Sequence, residues 1–473
     1  MNRRYNLKEI YSFFEKVEFD YGLIDYKIDN VYFWKLIRIS IWSTINNKVG
    51  LMGIAHPPRK EAFIEKLINR AKKEFNIYRY NAKKTKDQKD ILIFKSPRKT
   101  FLEGEISDYY THYIRKTIKS SNKRVLNLDL DTFHRQYSPP SYAVALPSIF
   151  SRRYCRWFMN IRFTESDVLL LNEIEKRIEY KFNIKLNIKE LIRVQIFYYR
   201  YNYKYYWNLY KKIKPKKIIL VCSYGNEALI SAAQDLGIEV YEVQHGTISK
   251  YHLGYSFTSN KKVPYFPDYL MIYGDYWFDS TPIPLSSEKI LNIGFPYLTQ
   301  QLEHYKDNEK IKNSVIFISQ GTIGKELSEI AFEFAKKNTC YNVTYKLHPS
   351  EFNDWRAIYP RLNEGMKLSN FKIVDDNKIN LYQLLSESEY QVGVYSTALY
   401  EGLILNAKTI LVSLPGVENL EYLLDEKIVM IANTADELKD SISNYKTKPF
   451  NKIYFFSDAN NHDKILQTHF FNK

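Results

Sequence analysis

The sequence predicts an α/β protein of two Rossmann-like domains facing a cleft, preceded by a helical N-terminal extension. Three observations carry this expectation. Short apolar runs rich in β-branched residues alternate with helical patterns of about ten residues, as in parallel sheets with crossover helices. The alternation occurs twice, in two sets separated by a charged stretch. The chain has 473 residues, more than one ordinary domain and enough for two of ~100–200 residues with extensions.

Residues 1–85 read as a basic helical extension. Ile10, Phe13, Phe14 and Val17 recur at helical spacing there, and the segment ends in a lysine-rich run, Lys83-Lys84-Thr85-Lys86. The first domain is expected over 86–296. Its strands begin with Asp90–Phe94, closed by Ser96-Pro97, and Val125–Leu130; a long aromatic-rich helical stretch runs from Asp167 to Tyr210. The strand Lys217–Cys222, the helix Asn226–Leu236 ended by Gly237, and the strands Val240–Val243, Tyr269–Tyr273 and Ile290–Ile293 follow. Gly294-Phe295-Pro296 and the charged run Glu303–Lys312 read as a linker. The second domain, 310–450, begins with the strand Ser314–Ile318 and the helix Glu326–Lys337. It continues through Asn342–Lys346, Phe371–Val374, the helix Leu381–Glu387, Tyr390–Val394, the helix Ala398–Leu405 and Thr409–Ser413. Residues 451–473 read as a C-terminal helix, with crossing back as an option.

Composition narrows the class of protein. Hydrophobic residues make up 45% and charged residues 26% of the chain, the balance of a globular protein and not of a disordered one. The most apolar stretch, Val31–Ile45, is interrupted by Lys35 and Arg38, so no transmembrane helix is expected. No signal-peptide core follows Met1, which predicts a cytoplasmic protein. Cys155, Cys222 and Cys340 are far apart, so neither a disulfide framework nor a cysteine zinc site is expected. Charge is unevenly placed. Residues 1–220 hold 45 Lys and Arg against 22 Asp and Glu, whereas residues 221–473 hold 24 against 31. That step implies that the first part faces something anionic: a nucleic acid, an acidic membrane or a negatively charged glycan.

In open α/β sheets ligands bind beyond the carboxyl ends of the strands, and four such places carry suggestive chemistry. Ser319-Gln320-Gly321-Thr322-Ile323-Gly324 joins a strand to a helix, and its glycines would let a phosphate approach backbone N–H groups; an ordinary strand–helix turn is the plain alternative. His348-Pro349 leaves the next strand, where an imidazole can donate a hydrogen bond or positive charge to a phosphate oxygen. Ser396-Thr397 suits an N-cap and first turn whose hydroxyls and N–H groups would hold a phosphate. Glu401, about one and a half turns further on, would reach a ribose hydroxyl pair. In the first domain Gln244-His245-Gly246-Thr247 repeats the arrangement from the opposite wall, with His245 suited to general-base work.

At these residues the chain resembles the bacterial GT-B glycosyltransferases that build capsules and other surface polysaccharides. This group includes polysialyltransferases, Kdo transferases and the CDP-glycerol glycerophosphotransferases of teichoic acid synthesis. The resemblance rests on His348-Pro349, Ser396-Thr397 with Glu401, and Gln244–Thr247, and covers residues 215–420. It implies that His348, Ser396 and Thr397, with Gly321 and Thr322 alongside, hold the phosphate of a CMP-, UDP- or CDP-linked sugar, that Glu401 lies near the ribose, and that no other cofactor is required. Two departures matter: the serine motif reads Ser-Thr in place of Ser-Ser, and the paired-acid-glycine motif of sialyltransferases is absent from the first domain. The base is therefore His245 or Glu227. The implied reaction is inverting transfer of a sugar to a glycan or lipid-linked glycan, with glycerophosphate transfer or a non-catalytic assembly role as alternatives.

Other readings are weaker on the same residues. Asp129-Leu130-Asp131 imitates a metal-binding pair, yet a phosphate held by protein groups needs no metal, and no metal site is expected. The aromatic and basic run Tyr198–Trp207 suits stacking on bases as well as a sugar groove or a core, but no nucleic-acid module accompanies it. A nucleotide-sugar epimerase of the same architecture would turn over its substrate without an acceptor. Peripheral association with the inner face of the cytoplasmic membrane is one of two readings of Ile149–Phe163. Phe150, Tyr154, Trp157, Phe158 and Ile161 form one apolar face there, flanked by Arg152, Arg153 and Arg156. Packing of that face against the 167–210 helices is the alternative.

Overall fold

The computed structural model describes residues 5–51, 65, 68–69, 71, 82–85, 87–129, 142–143, 161–258, 262–458 and 460–471. Asp131, Cys155 and residues 149–160, with the three arginines of the expected membrane segment, lie outside them.

Chain order gives β1 (Ile91–Lys95), β2 (Lys99–Leu102), β3 (Glu105–Asp108), β4 (Val125–Asp129), β5 (Tyr142–Ala143), β6 (Lys217–Val221), β7 (Glu239–Val243), β8 (Tyr269–Ile272) and β9 (Ile290–Asn292) in the first domain. Apart from the antiparallel hairpin β2–β3, these form one parallel sheet ordered β5-β4-β1-β6-β7-β8-β9. Ile93 of β1 aligns with Asn127 on one side and Ile219 on the other. The second domain holds β10 (Ile311–Ile318), β11 (Asn342–Lys346), β12 (Phe371–Val374), β13 (Ser388–Gly393), β14 (Lys408–Val412) and β15 (Met430–Ala432). They form a parallel sheet ordered β12-β11-β10-β13-β14-β15. In both sheets the chain steps outward from its first strand, returns to that strand's other side, and then proceeds to the far edge. The order therefore reverses between β1 and β6 and between β10 and β13, and a crevice opens at each reversal, at the strands' carboxyl ends. The fold class read from the alternation of strands and helices is the one found.

Strands buried on both faces explain why these segments are continuous apolar runs. Ile91 and Ile93 point into one core, Leu92 and Phe94 into another. The first of these cores continues without interruption into the second domain, through Ile316, Ile318, Leu399 and Leu411, and takes in Phe455, Phe456 and Phe470 from the C-terminal segment. That segment packs on the first domain: Trp277 Nε1 donates to the Phe455 carbonyl at 2.7 Å, and the Phe470 ring lies 4.7 Å from that of Tyr241.

The helices Leu7–Tyr21 and Phe33–Lys48 do not stand apart as an extension. They share one core with the helices Glu165–Phe182 and Ile188–Ile213, in which Phe14, Trp34, Ile41, Leu171, Ile178 and Ile192 are buried together. The helical unit is thus assembled from two stretches of chain. The long stretch from Asp167 to Tyr210 is broken where Asn183 adopts φ 55° and ends the first helix. Within the expected linker, Pro296–His304 is a helix begun by its own proline. Ile161 is buried in the helical core, which is the packing alternative for the one described position of the proposed membrane-facing stripe. No helix among the described residues is long and apolar enough to cross a membrane.

Candidate active site

The phosphate-side residues sit on three neighbouring strand ends of the second domain. Gly321 and Thr322 follow β10, His348 follows β11, and Ser396 follows β13, so the loops meet at the topological reversal. A Cβ on Gly321 would lie 3.2 Å from Ser350 Oγ, and Thr322 Oγ1 bonds the Tyr395 hydroxyl. His348 caps a short turn that Pro349 begins. Its Nδ1 accepts the Ser350 backbone N–H at 3.2 Å and meets Ser350 Oγ at 2.7 Å. A nitrogen that accepts a backbone N–H is not protonated, so the proton of neutral His348 is on Nε2, the tautomer that can donate to a phosphate oxygen. Buried Glu351 locks this turn: it accepts the His348 N–H at 2.6 Å, the Ser319 hydroxyl at 3.0 Å and the Tyr359 hydroxyl at 2.6 Å.

Ser396 is the N-cap of the helix Thr397–Ile404, its Oγ accepting the Ala398 N–H at 3.2 Å. Glu401, further along that helix, is turned inward and only 7% exposed. It bonds Tyr382, and burial raises its pKa to about 7.

The first domain supplies the opposite wall. His245 follows β7 and is half-buried. Tyr224 OH lies 3.0 Å from its Nε2 and Tyr255 OH 3.2 Å from its Nδ1, while Tyr110 OH donates to its carbonyl at 2.7 Å. Burial, with His252 and Arg98 adding, lowers the pKa of His245 to about 3, so the ring is neutral near pH 7. The Gly246–Thr247 backbone reaches across: Thr247 Oγ1 is 3.4 Å from Thr397 Oγ1. Glu227, the other candidate base, is engaged elsewhere. Its carboxylate is buried, folded back onto the Gly225 N–H at 2.9 Å, and feels Lys35.

Sequence reasoning missed Arg98. It stands just beyond β1, on the first domain's own reversal, and donates to Tyr110 OH at 3.0 Å. The residue is exposed overall, and its guanidinium is close enough to depress the pKa of both His245 and His348 and to oppose the rise at Glu401. One cation therefore serves both walls. Its one signal in the sequence was its place just after a strand end. Tyr224 was missed likewise; it follows β6 through Cys222, whose φ of 78° turns the chain sharply there.

Asp129 is not a bare acid. Its buried carboxylate pairs with Lys95 and Lys99, both at 3.3 Å. Among the described residues no group of three or more His, Cys, Asp or Glu is arranged to hold a metal ion.

No protein-family model and no curated protein matches this chain. Solved structures do. A UDP-GlcNAc 2-epimerase of Methanocaldococcus jannaschii, solved with UDP-GlcNAc and UDP, is 10% identical; the match covers 82% of this chain and 100% of that one, with a TM-score of 0.50. MurG of Acinetobacter baumannii is 14% identical over 80% of this chain and 95% of its own, with a TM-score of 0.44. At such identity the likeness to the epimerase is one of fold, and with the two sheet orders it gives the chain the GT-B architecture.

Proposed function

We propose that the chain is a nucleotide-sugar-dependent glycosyltransferase that extends a bacterial surface polysaccharide, by an inverting displacement that needs no metal. The observation that carries this reading is the convergence of His348, Ser396 and Thr397 from one domain with Arg98 and His245 from the other on a single cleft. A departing nucleotide phosphate needs preorganised donors and positive charge. His348 Nε2–H, the first-turn N–H groups behind Ser396 and Thr397, the Gly321–Thr322 loop and Arg98 supply these. The acceptor hydroxyl must lose a proton on the other side of the sugar, and His245 with its tyrosines forms that wall. Glu401 serves the ribose from below.

The acceptor is a glycan or lipid-linked glycan, drawn to the basic first part of the chain, at the inner face of the cytoplasmic membrane. Ile149–Phe163 is the proposed contact, each basic residue near an anionic surface contributing about 1 kcal/mol. Salt-sensitive co-sedimentation with anionic vesicles, weakened by R152E/R153E/R156E, would support this; no binding at low salt would remove it.

The test of the main reading is a thermal-shift panel of CMP, CDP, UDP and GDP, followed by turnover of the matching nucleotide sugar with and without acceptor. A ligand that binds only the native state raises its melting temperature. Nucleotide release that requires an acceptor supports sugar transfer. Conversion of the nucleotide sugar with no acceptor and no release would place the chain among epimerases, and glycerol phosphate transfer from CDP-glycerol would favour the glycerophosphotransferase alternative.

A further inference from the structure

Both ring nitrogens of His245 are occupied, and the hydrogen-bond chain beyond them has a direction. Tyr255 OH lies 2.6 Å from Glu242 Oε1 and 3.2 Å from His245 Nδ1. The phenol has one proton and two partners. Glu242 Oε1 already accepts the Ser223 N–H at 2.9 Å, which marks it as the accepting oxygen of this buried carboxyl, so the phenol proton goes to Glu242. The Tyr255 oxygen is then left to accept, and what it accepts is a proton carried by His245 Nδ1. Nε2 is consequently bare and takes the hydroxyl proton of Tyr224 at 3.0 Å.

We infer that Glu242 and Tyr255 are positioning residues that hold His245 as its Nδ1–H tautomer, and that Tyr224 is the catalytic residue through whose oxygen the acceptor's proton reaches His245. The inference rests on the reading that the acceptor is deprotonated at this wall. The step balances. The acceptor oxygen attacks the sugar carbon as its O–H bond breaks, and its proton passes to the Tyr224 oxygen. The phenol's own proton moves to His245 Nε2. The electron pair of the sugar–phosphate bond leaves with the nucleotide. The imidazolium so formed is bonded through Tyr255 to Glu242, which is fully buried. After product release the proton returns to solvent by the same path.

The surroundings agree with this polarity. Facing His245 are Tyr224, Tyr255, Tyr110, His252 and Arg98; facing Glu242 are Ser223, Tyr255, Cys222, Tyr224 and Lys35. Glu242 offers the only carboxylate bonded to this tyrosine–histidine chain among the described residues. Two neighbouring histidines should show the opposite tautomer, because His252 Nδ1 accepts the Gly254 N–H at 3.1 Å and His348 Nδ1 the Ser350 N–H.

The test is long-range ¹H–¹⁵N correlation on the full chain labelled with ¹⁵N-histidine, with H245Q to assign the signal. His245 should appear protonated at Nδ1, and His252 and His348 at Nε2. Y255F should abolish the preference at His245, and E242Q should weaken it. Y224F should leave the Nδ1–H tautomer and nucleotide binding in place while slowing sugar transfer roughly 100-fold or more. An Nε2–H signal for His245 in the wild type, or an unchanged signal in folded Y255F, overturns the tautomer lock. Undiminished transfer by Y224F overturns the proton path. Absence of any transfer by a wild type that shows the Nδ1–H signal overturns the glycosyltransferase reading and the proton path while leaving the lock standing.

Discussion

Thr247 and Thr397, 150 positions apart in the chain, bring their hydroxyl oxygens within 3.4 Å at the junction of the two domains. Thr247 leaves the loop that carries His245, and Thr397 opens the helix whose N-cap is Ser396. This crossing joins the two loops on which the proposed chemistry depends. Nearby, Glu421 of the second domain receives Lys8 at 2.6 Å and Lys250 at 2.7 Å, so the helical unit and the first domain both grip the second.

The C-terminal return is held by a glycine. A Cβ on Gly274 would stand 2.5 Å from the carbonyl oxygens of both Tyr454 and Phe455, and those backbone atoms cannot swing aside as a side chain would. Gly274→Ala should lift the 451–471 segment from the first domain at a cost of about 1–3 kcal/mol. Hydrogen exchange should then show faster exchange at 452–470 with the second sheet unchanged; equal protection in both proteins would contradict the packing.

Burial of Glu401 has a consequence for pH. Its pKa is about 7 in the folded chain against 4.5 for the free side chain, so between these values the folded state holds a proton that the unfolded state has released. The contribution is fully present below pH 4.5 and is lost as pH rises through 7. Glu401→Gln should remove this dependence, flattening the wild-type decline by up to about 3 kcal/mol over that range. Urea denaturation of both proteins from pH 4.5 to 7.5 measures it, and parallel curves would refute it.

Much of this was legible in the sequence because the relevant strands are buried on both faces. Lys217–Cys222, Ser314–Ile318 and Tyr390–Val394 cannot hide as alternating patterns, and their polar ends stand out. The hairpin β2–β3 was not legible: it is short and largely polar, Phe101 at its edge is 70% exposed, and only the left-handed pair Glu103-Gly104 marks its turn. The first two helices were legible as helices but not as partners of residues 165–213, because periodicity reports that a face is apolar without saying what covers it. Arg98 and Glu242 are harder still. Arg98 gains its position only when β1 pairs with β6, and Glu242 reads as an ordinary polar residue in Glu239–Val243 until Tyr255 folds onto it.

A buried ion pair inside the helical unit holds Arg38 where it can bond the 253–256 loop. Arg38 Nε donates to Glu18 Oε1 at 2.8 Å, with the two side chains 1% and 4% exposed. Arg38 also donates to the Leu253 carbonyl at 2.7 Å, while Trp34 Nε1 adds a second donor to Glu18 at 2.7 Å. Arg38→Ala leaves a buried carboxylate unpaired and should cost about 3–5 kcal/mol, whereas Arg38→Met with Glu18→Gln should cost less. Denaturant midpoints for the single and double variants decide; a double variant as destabilised as the alanine would show that the unpaired Glu18 charge is not the source of the loss.

Arg98 gives the sharpest test of the shared cleft. Arg98 is exposed as a residue while its guanidinium bonds Tyr110, with Tyr109 beside it, so Arg98→Met should cost no more than about 1.5 kcal/mol. If the same cation neutralises the departing phosphate, the turnover of Arg98→Met should nevertheless fall roughly 100- to 1000-fold, the scale on which removal of one preorganised donor acts. Arg98→Lys keeps the charge but loses the planar fork, and should recover only part of the rate. Removing a positive neighbour should also raise the pKa of His348, detectable by NMR titration without any substrate. Loss of turnover with His348 unshifted would place Arg98 on the acceptor side alone; a shift in His348 with full turnover would remove it from the chemistry.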